Sequence, residues 1–135
     1  MRRAHEIDFQ IFGDDMQFVE ISLDPEETVV AEAGAMMYMD SAIRSDTVFG
    51  DGSDRDKGKG FMDKVLGAGK RVLAGESLFM TTFTNMGSGK KVVAFAAPYP
   101  GKVIPVDLGE CDGQLICQRD AFLCAAKGIA IEIAF

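Results

Sequence analysis

Histidine is nearly absent from this sequence of 135 residues, which contains His5 alone. Ser-His-Asp and Cys-His catalytic sites need a histidine base beside the nucleophile. A metal-binding double-stranded β-helix needs a pair of histidines on one strand, which this chain does not supply. We therefore predict that the protein is not an enzyme and has no catalytic, cofactor-binding or metal-binding residues.

Cysteine is also scarce, and the three residues of this type are Cys111, Cys117 and Cys124. An odd number argues against a disulfide framework, and their spacing matches no zinc-binding pattern. Cys117 and Cys124 lie among apolar residues. We predict that both are buried as small hydrophobic side chains.

Long apolar runs are missing as well. No segment approaches the roughly 18–20 apolar residues that span a bilayer. Arg2 and Arg3 are not followed by a continuous apolar segment like that of a secretory signal. We therefore predict a cytoplasmic protein. The formal net charge of −7 gives no basic footprint for nucleic acid, so we expect no DNA partner and disfavour RNA.

Short alternating segments fill most of the chain. Residues 5–11 place Ile7, Phe9 and Ile11 on one face, and residues 16–23 alternate in the same way. Similar segments follow at 28–33, 35–40, 42–49, 77–84, 90–97, 102–108, 114–119, 121–126 and 129–135. About ten short strands at regular spacing are typical of an antiparallel sandwich or barrel, so we predict an all-β domain.

Turn signals separate these strands. Asp24 precedes Pro25, whose fixed φ suits the second position of a turn. The "GSGK" of residues 87–90 predicts a hairpin, and the "PYPG" of residues 98–101 predicts another turn. The acidic pairs at 14–15 and 26–27 also fall in turns, where solvated carboxylates are the ordinary interpretation.

Two segments resemble each other. Residues 29–39 and 115–125 share a pattern of small and apolar residues in which Gly34 and Asp120 occupy the same place. Both residue types tolerate positive φ, so we predict a bend between strands at each. A repeated corner fits a sandwich whose two halves are built alike.

The glycine-rich stretch 50–77 invites comparison with phosphate-binding loops. The P-loop pattern G-x-x-x-x-G-K-[ST] requires four residues between its glycines. Five residues separate Gly52 from Gly58, and Lys59 is followed by Gly60 rather than by Ser or Thr. The dinucleotide pattern fails too, because Val72 stands where the third glycine belongs. We therefore exclude a nucleotide site here.

Apolar residues recur with helical spacing from Phe61 onward, and Gly75 is placed to end a helix. We predict an inserted amphipathic helix over residues 58–74. Its predicted contact residues are Lys59, Phe61, Met62, Lys64, Val65, Leu66, Lys70, Arg71, Val72 and Leu73.

The same segment is basic in an acidic protein. Between Lys57 and Ala74 five basic residues accompany one acid, Asp63, for a local charge of +4, which leaves about −11 elsewhere. Three interpretations stay open: the helix packs on its own sandwich, contacts a partner subunit, or lies on an anionic membrane.

Four segments together resemble a known family: residues 23–40, 67–85, 97–108 and 115–132. They are similar, in the same order, to the altered-inheritance-of-mitochondria, or mitochondrial biogenesis, family. The resemblance implies the fold class of the tryptophan RNA-binding attenuation protein (TRAP-like), a short double-stranded β-helix with a jelly-roll-like sandwich. It also implies two such halves in tandem, a threefold assembly, and no catalytic residues to transfer.

The domain prediction combines these points. We predict one TRAP-like β-sandwich domain over residues 1–135. The alternating segment that ends on Phe135 has no polar tail, which predicts that a second, similar half follows in a longer protein.

The functional prediction is a non-catalytic oligomeric scaffold or interaction protein, expected to form a homotrimer. It would use helix 58–74 and the Met-rich strands as its contact surface. The alternative is a peripheral membrane protein that binds through the same basic helix. RNA binding rests on fold analogy alone, and a sandwich enzyme with a small ligand in its lumen stays open.

Overall fold

A computed structural model describes residues 6–49 and 79–131. The described residues form eight strands and three short 3-10 turns. The strands are β1 (Asp8–Phe12), β2 (Phe18–Leu23), β3 (Thr28–Ala31), β4 (Met36–Met39), β5 (Ile43–Phe49), β6 (Phe79–Asn85), β7 (Lys91–Phe95) and β8 (Cys124–Ala126). The 3-10 turns are Ala33–Ala35, Leu108–Cys111 and Arg119–Ala121.

The strands form two antiparallel four-stranded sheets. Sheet I has the order β1-β2-β7-β4, and sheet II has the order β5-β6-β3-β8. The chain changes sheets at five connections: β2 to β3, β3 to β4, β4 to β5, β6 to β7 and β7 to β8. This arrangement confirms the predicted all-β sandwich.

Alternation along β2 shows how the sequence directs one face of sheet I inward. Val19, Ile21 and Leu23 are buried, whereas the residues between them are half-buried on the other face. Across the sandwich, Phe83 of β6 packs edge-to-face on Phe95 of β7 with ring centroids 5.2 Å apart. Aromatic pairs in this geometry add about 0.5–1.5 kcal/mol beyond the apolar area that they bury.

The outer faces of the two sheets differ. In sheet II, Val30 of β3 and Met80 of β6 point away from the interior that Phe83 occupies, yet both are buried. All four residues of β3 are buried. Sheet I instead exposes Met37 and Tyr38 on its outer side. Sheet I therefore carries the more accessible outer face.

Three short connections meet at one end of the sandwich around Asn85, which is fully buried. Its side-chain amide donates to the carbonyls of Leu23 and Gly89, each at 2.8 Å, and its side-chain oxygen accepts from the backbone N–H of Gly87 at 2.9 Å. The backbone N–H of Glu26 donates to the Asn85 carbonyl at 2.8 Å. The connections 24–27, 40–42 and 86–90 thus lie at the Asn85 end, whereas 13–17, 32–35 and 96–123 begin and end at strand ends on the opposite side.

Two predicted turns have different outcomes. The turn after Asp24 forms with Pro25 at its second position, since Glu26 has φ 72° and Glu27 N–H donates to the Asp24 carbonyl at 3.0 Å. The predicted hairpin at residues 87–90 is wrong. These residues join β6 to β7, which belong to different sheets and do not pair. A local turn signal does not specify which strands hydrogen-bond.

Two of the predicted strands, at 102–108 and 114–119, do not form. Pro105 lacks the backbone N–H that a strand interior needs. Further on, the Asp107 side chain accepts from the Gly109 N–H at 2.9 Å and begins a 3-10 turn. That turn ends at Asp112 with φ 56°. Residues 129–131 are not a strand either, and 132–135 lie outside the described residues.

The repeated corner has a structural counterpart. Gly34 and Asp120 are each the central residue of a 3-10 turn, Ala33–Ala35 and Arg119–Ala121, and a strand follows each turn. The correspondence of the two segments is confirmed. Neither residue uses the positive φ that its type tolerates.

The predicted helix 58–74, with all ten of its contact residues, lies outside the described residues, as does His5. Among residues 6–49 and 79–131, no helix is long and apolar enough to cross a membrane.

Candidate interaction surface

Three aromatic side chains form a row across the outer face of sheet I. Phe12 of β1 lies opposite Phe18 of β2 in register, and their rings stack with centroids 5.2 Å apart. The Tyr38 ring approaches Phe18 edge-on at 6.3 Å. We call Phe12, Phe18 and Tyr38 the aromatic row. The solvent face of an antiparallel sandwich is ordinarily polar, so this row marks a candidate contact surface.

The row continues into a polar contact between Tyr38 and Glu20. Both residues pair with Ala94 of β7, one from β4 and the other from β2. The Tyr38 hydroxyl donates a hydrogen bond to Glu20 Oε2. The bond passes over Ala94, whose methyl side chain is small enough to allow the contact. Ala94 itself is fully buried. The bond to a carboxylate stabilises the protonated phenol and raises the pKa of Tyr38.

A β-bulge in β4 turns two residues outward together. The register of β4 on β7 shifts between Met36 and Tyr38, so Met37 and Tyr38 both reach solvent and are 49% and 40% exposed. Met36 and Met39 pack against the core instead. A β-bulge commonly changes the direction in which neighbouring side chains point. The methionines of this segment are therefore found both in the core and on the surface.

Glu20 has no cationic partner among the described residues. The ion pairs there include Lys90 with Asp8 at 2.7 Å and with Asp24 at 3.6 Å, Lys102 with Asp14 at 3.2 Å, and Arg44 with Asp46 at 2.8 Å. These pairs are exposed, so screening by solvent keeps the contribution of each to stability small. Among the described residues, the carboxylate of Glu20 is thus a charge without a counter-ion beside the aromatic row.

A second surface is the apolar strap, residues 102–118, which precedes β8. Four of its aliphatic side chains face solvent, with Ile104 77%, Ile116 71%, Leu115 51% and Val106 48% exposed, whereas Val103 packs against the core. The strap is anchored at its start, where Val103 N–H donates to Gln17 Oε1 at 2.8 Å. So many exposed aliphatic side chains in one segment are typical of a contact with another protein surface.

The predictions for the two cysteines have different outcomes. Cys124 is half-buried and packs against the core, and desolvation raises its pKa to about 12. Cys117 is exposed, because the strand predicted around it does not form. Cys111, Cys117 and Cys124 are all free thiols. No group of histidine, cysteine or acidic side chains within the described ranges is arranged to hold a metal ion.

The two repeated corners border a shallow groove of about 210 Å³ at the end of the sandwich away from Asn85. Ala35, Phe122 and Leu123 contribute apolar surface, and Glu32, Tyr99 and Asp120 contribute polar groups. The lining contains no thiol, hydroxyl nucleophile of serine or threonine, or histidine base. The groove can therefore hold an apolar or cationic side chain but does not bring together a nucleophile and a base.

The acidic pairs behave as predicted for turn residues. Asp14, Asp15 and Glu26 are exposed. Glu27 has a structural role, since its carboxylate accepts from the Asp24 backbone N–H at 2.7 Å. The prediction missed the aromatic row. Its signal was present in β2, where Phe18 follows Met16 on the face opposite the buried residues.

Comparison with known proteins agrees with this fold. The family model described as "Mitochondrial biogenesis AIM24" matches residues 9–135. An uncharacterized protein of Streptococcus pyogenes serotype M6 is 35% identical over 98 residues, which is 70% of this chain and 36% of that protein.

The X-ray structure of a Streptococcus pyogenes protein superposes with a TM-score of 0.54 at 21% identity, over 90% of this chain and 50% of that one. At this identity the likeness shows the fold alone. The chain spans about a third of the curated relative and half of the solved protein.

Proposed function

The chain belongs to the mitochondrial biogenesis AIM24 family, and from this membership and its exposed apolar strap we propose that it is a non-catalytic interaction protein that assembles with copies of itself. The single observation that carries the proposal is the exposure of Ile104, Val106, Leu115 and Ile116 within one segment.

Hydrophobic burial supplies the physical reason. Fully burying an isoleucine or leucine side chain contributes about 1.5–3 kcal/mol. Several such side chains on one strap stabilise an interface by more than exposed ion pairs contribute. The strap is attached to the sandwich on both sides. The Val103–Gln17 hydrogen bond attaches its start, and β8, which follows the strap, pairs with β3. A positioned apolar segment loses little conformational entropy when it is buried in an interface.

A threefold assembly is the form that we propose. Cyclic assemblies bring one segment of every subunit to the symmetry axis, where apolar side chains pack against their own copies. The TRAP-like fold class and the tandem second half belong to the same proposal. They predict that the complete protein presents two related surfaces to its neighbours.

The test compares the molar mass of the wild-type chain in solution with that of a strap variant, measured by light scattering after size exclusion. We expect a trimeric mass for the wild type. The Ile104→Glu/Ile116→Glu double variant places charge in the contact and is expected to be monomeric. Met86→Glu is the matched control, because Met86 is 56% exposed in a turn outside the strap and its variant should keep the wild-type mass. A monomeric wild type at micromolar concentration, or a strap variant with unchanged mass, contradicts the proposal.

Peripheral membrane binding is the alternative, and the basic composition of residues 57–74 supports it. Co-sedimentation with vesicles that contain anionic lipid tests it at low salt. Binding that high salt reverses would support the alternative, and absence of binding at low salt would exclude it.

A further inference from the structure

We propose that Glu20 and the aromatic row form a binding site for a basic side chain from residues 57–74 of a neighbouring copy. This inference rests on the proposed self-association and names the two surfaces that meet. It assigns a partner to the outer face of sheet I, where the aromatic side chains lie beside a carboxylate that has no cationic partner among the described residues.

The geometry of the row suits a cation. Glu20 Oε2 accepts the hydrogen bond from Tyr38, which leaves Oε1 without a partner among the described residues. Phe18 and Tyr38 meet edge-on beside this carboxylate at 6.3 Å. A guanidinium or ammonium group placed there would pair with the carboxylate and lie against an aromatic ring.

The hydrogen bond from Tyr38 also holds the Glu20 carboxylate in one position before a cation binds. It ties β4 to β2 across Ala94 and holds the phenol ring over the sheet. A carboxylate held in one position loses less side-chain entropy when it pairs than a free surface glutamate does. The site is therefore better prepared for a cation than the other exposed acids of this sheet.

Residues 57–74 have the matching composition. They combine five basic residues with one acid, and their apolar residues recur at helical spacing. The rest of the chain carries about −11, so long-range attraction brings this segment of one copy toward the body of another. The apolar residues of the segment match the exposed Met37 and the rings of the row.

The topology favours a neighbouring copy over the same chain. Phe49 and Phe79, which flank residues 50–78, are paired in register in sheet II. The aromatic row faces outward from sheet I, on the other side of a sandwich whose sheets pack about 10 Å apart. The two points where residues 50–78 join the described chain therefore lie on the sheet that does not carry the row, which favours a neighbouring copy as the source of the segment. Contacts between two different surfaces close into rings, as a trimer requires.

Charge exchange tests the pairing. We expect Glu20→Lys alone, or Lys70→Glu/Arg71→Glu alone, to raise the dissociation constant of the assembly at least tenfold in sedimentation equilibrium at low salt. Combining the three substitutions should restore most of the affinity, because the paired charges are exchanged. Glu6→Lys is the matched control, since Glu6 is an exposed acid just before β1, and it should leave the constant unchanged. Thermal melting of each variant shows that it is folded.

Cross-linking identifies the segment directly. Phe12→p-benzoylphenylalanine places a photoreactive group at one end of the row. We expect a cross-link between subunits whose peptide, identified by mass spectrometry, lies within residues 57–74. A cross-link within one subunit, or to any other segment, overturns the inference.

The outcomes separate this inference from the proposed function. A monomeric wild type refutes both. An assembled wild type whose affinity is unaffected by the charge variants refutes the pairing and leaves self-association standing. Binding to anionic vesicles that Lys70→Glu/Arg71→Glu abolishes, with the assembly unchanged, assigns the basic residues to a membrane and also refutes the pairing.

Discussion

The side-chain amide of Asn85 on sheet II donates to the backbone carbonyl of Leu23 on sheet I, over a distance of 2.8 Å and a sequence separation of 62 residues. The same amide bonds the Gly89 carbonyl, and the Asn85 backbone bonds the turn after β2. One buried side chain thus joins the two sheets and orders the connections at that end. Buried polar groups with complete hydrogen bonding specify a single arrangement of the chain around them.

Asn85→Leu is expected to lower the free energy of unfolding by about 2–5 kcal/mol, because it leaves the carbonyls of Leu23 and Gly89 and the N–H of Gly87 without their partners. Urea denaturation followed by circular dichroism measures this change. Ser88→Ala, an exposed position in the same turn, is the control and should cost less than about 0.5 kcal/mol. Equal midpoints for the two variants would show that the Asn85 bonds contribute little.

The Tyr38–Glu20 contact predicts a titration. The hydrogen bond from Tyr38 to Glu20 raises the pKa of the Tyr38 phenol above its usual 10.0, so phenolate absorbance should appear at higher pH than in the Glu20→Gln variant. Tyr99→Phe isolates the signal, since the chain has two tyrosines. The folded state binds this proton more tightly than the unfolded state does. The stabilisation is therefore complete below pH 10.0 and is lost as the pH rises through the folded-state pKa. Identical titration curves with and without the Glu20 carboxylate would contradict the contact.

The cysteines predict a difference in alkylation. Burial raises the pKa of Cys124 to about 12, so its thiolate is scarce at pH 8, whereas Cys117 is exposed. Mass spectrometry after brief iodoacetamide treatment of the native chain should find Cys117 modified and Cys124 intact. Both should react in denaturant. Equal native labelling of the two residues would mean that Cys124 does not pack against the core.

Some of this structure follows from local patterns. The alternation of β2 predicts which side chains enter the core, because successive side chains of a strand point to opposite faces. Pro25 predicts the turn that forms, and the likeness of residues 29–39 to 115–125 predicts the two matching corners. In each case a few adjacent residues determine the outcome.

Other features depend on long-range pairing. The aromatic row requires β1, β2, β7 and β4 to be neighbours, and Tyr38 meets Glu20 only because Ala94 lies between them. The "GSGK" signal predicts a turn correctly but not that its flanking strands enter different sheets. Within the strap, Pro105 and the Asp107–Gly109 contact override an alternating pattern that favoured a strand.

The clustering of short connections around Asn85 has a consequence for how the family can diversify. The two long connections, residues 50–78 and 96–123, both depart from the end opposite Asn85. Lengthening a connection there adds only a small closure entropy and leaves the Asn85 bonds intact. Related proteins can therefore accept insertions at the end opposite Asn85, while the hydrogen bonds at the Asn85 end preserve the architecture. Sequence length should vary among relatives at 50–78 and 96–123 rather than at 24–27, 40–42 or 86–90.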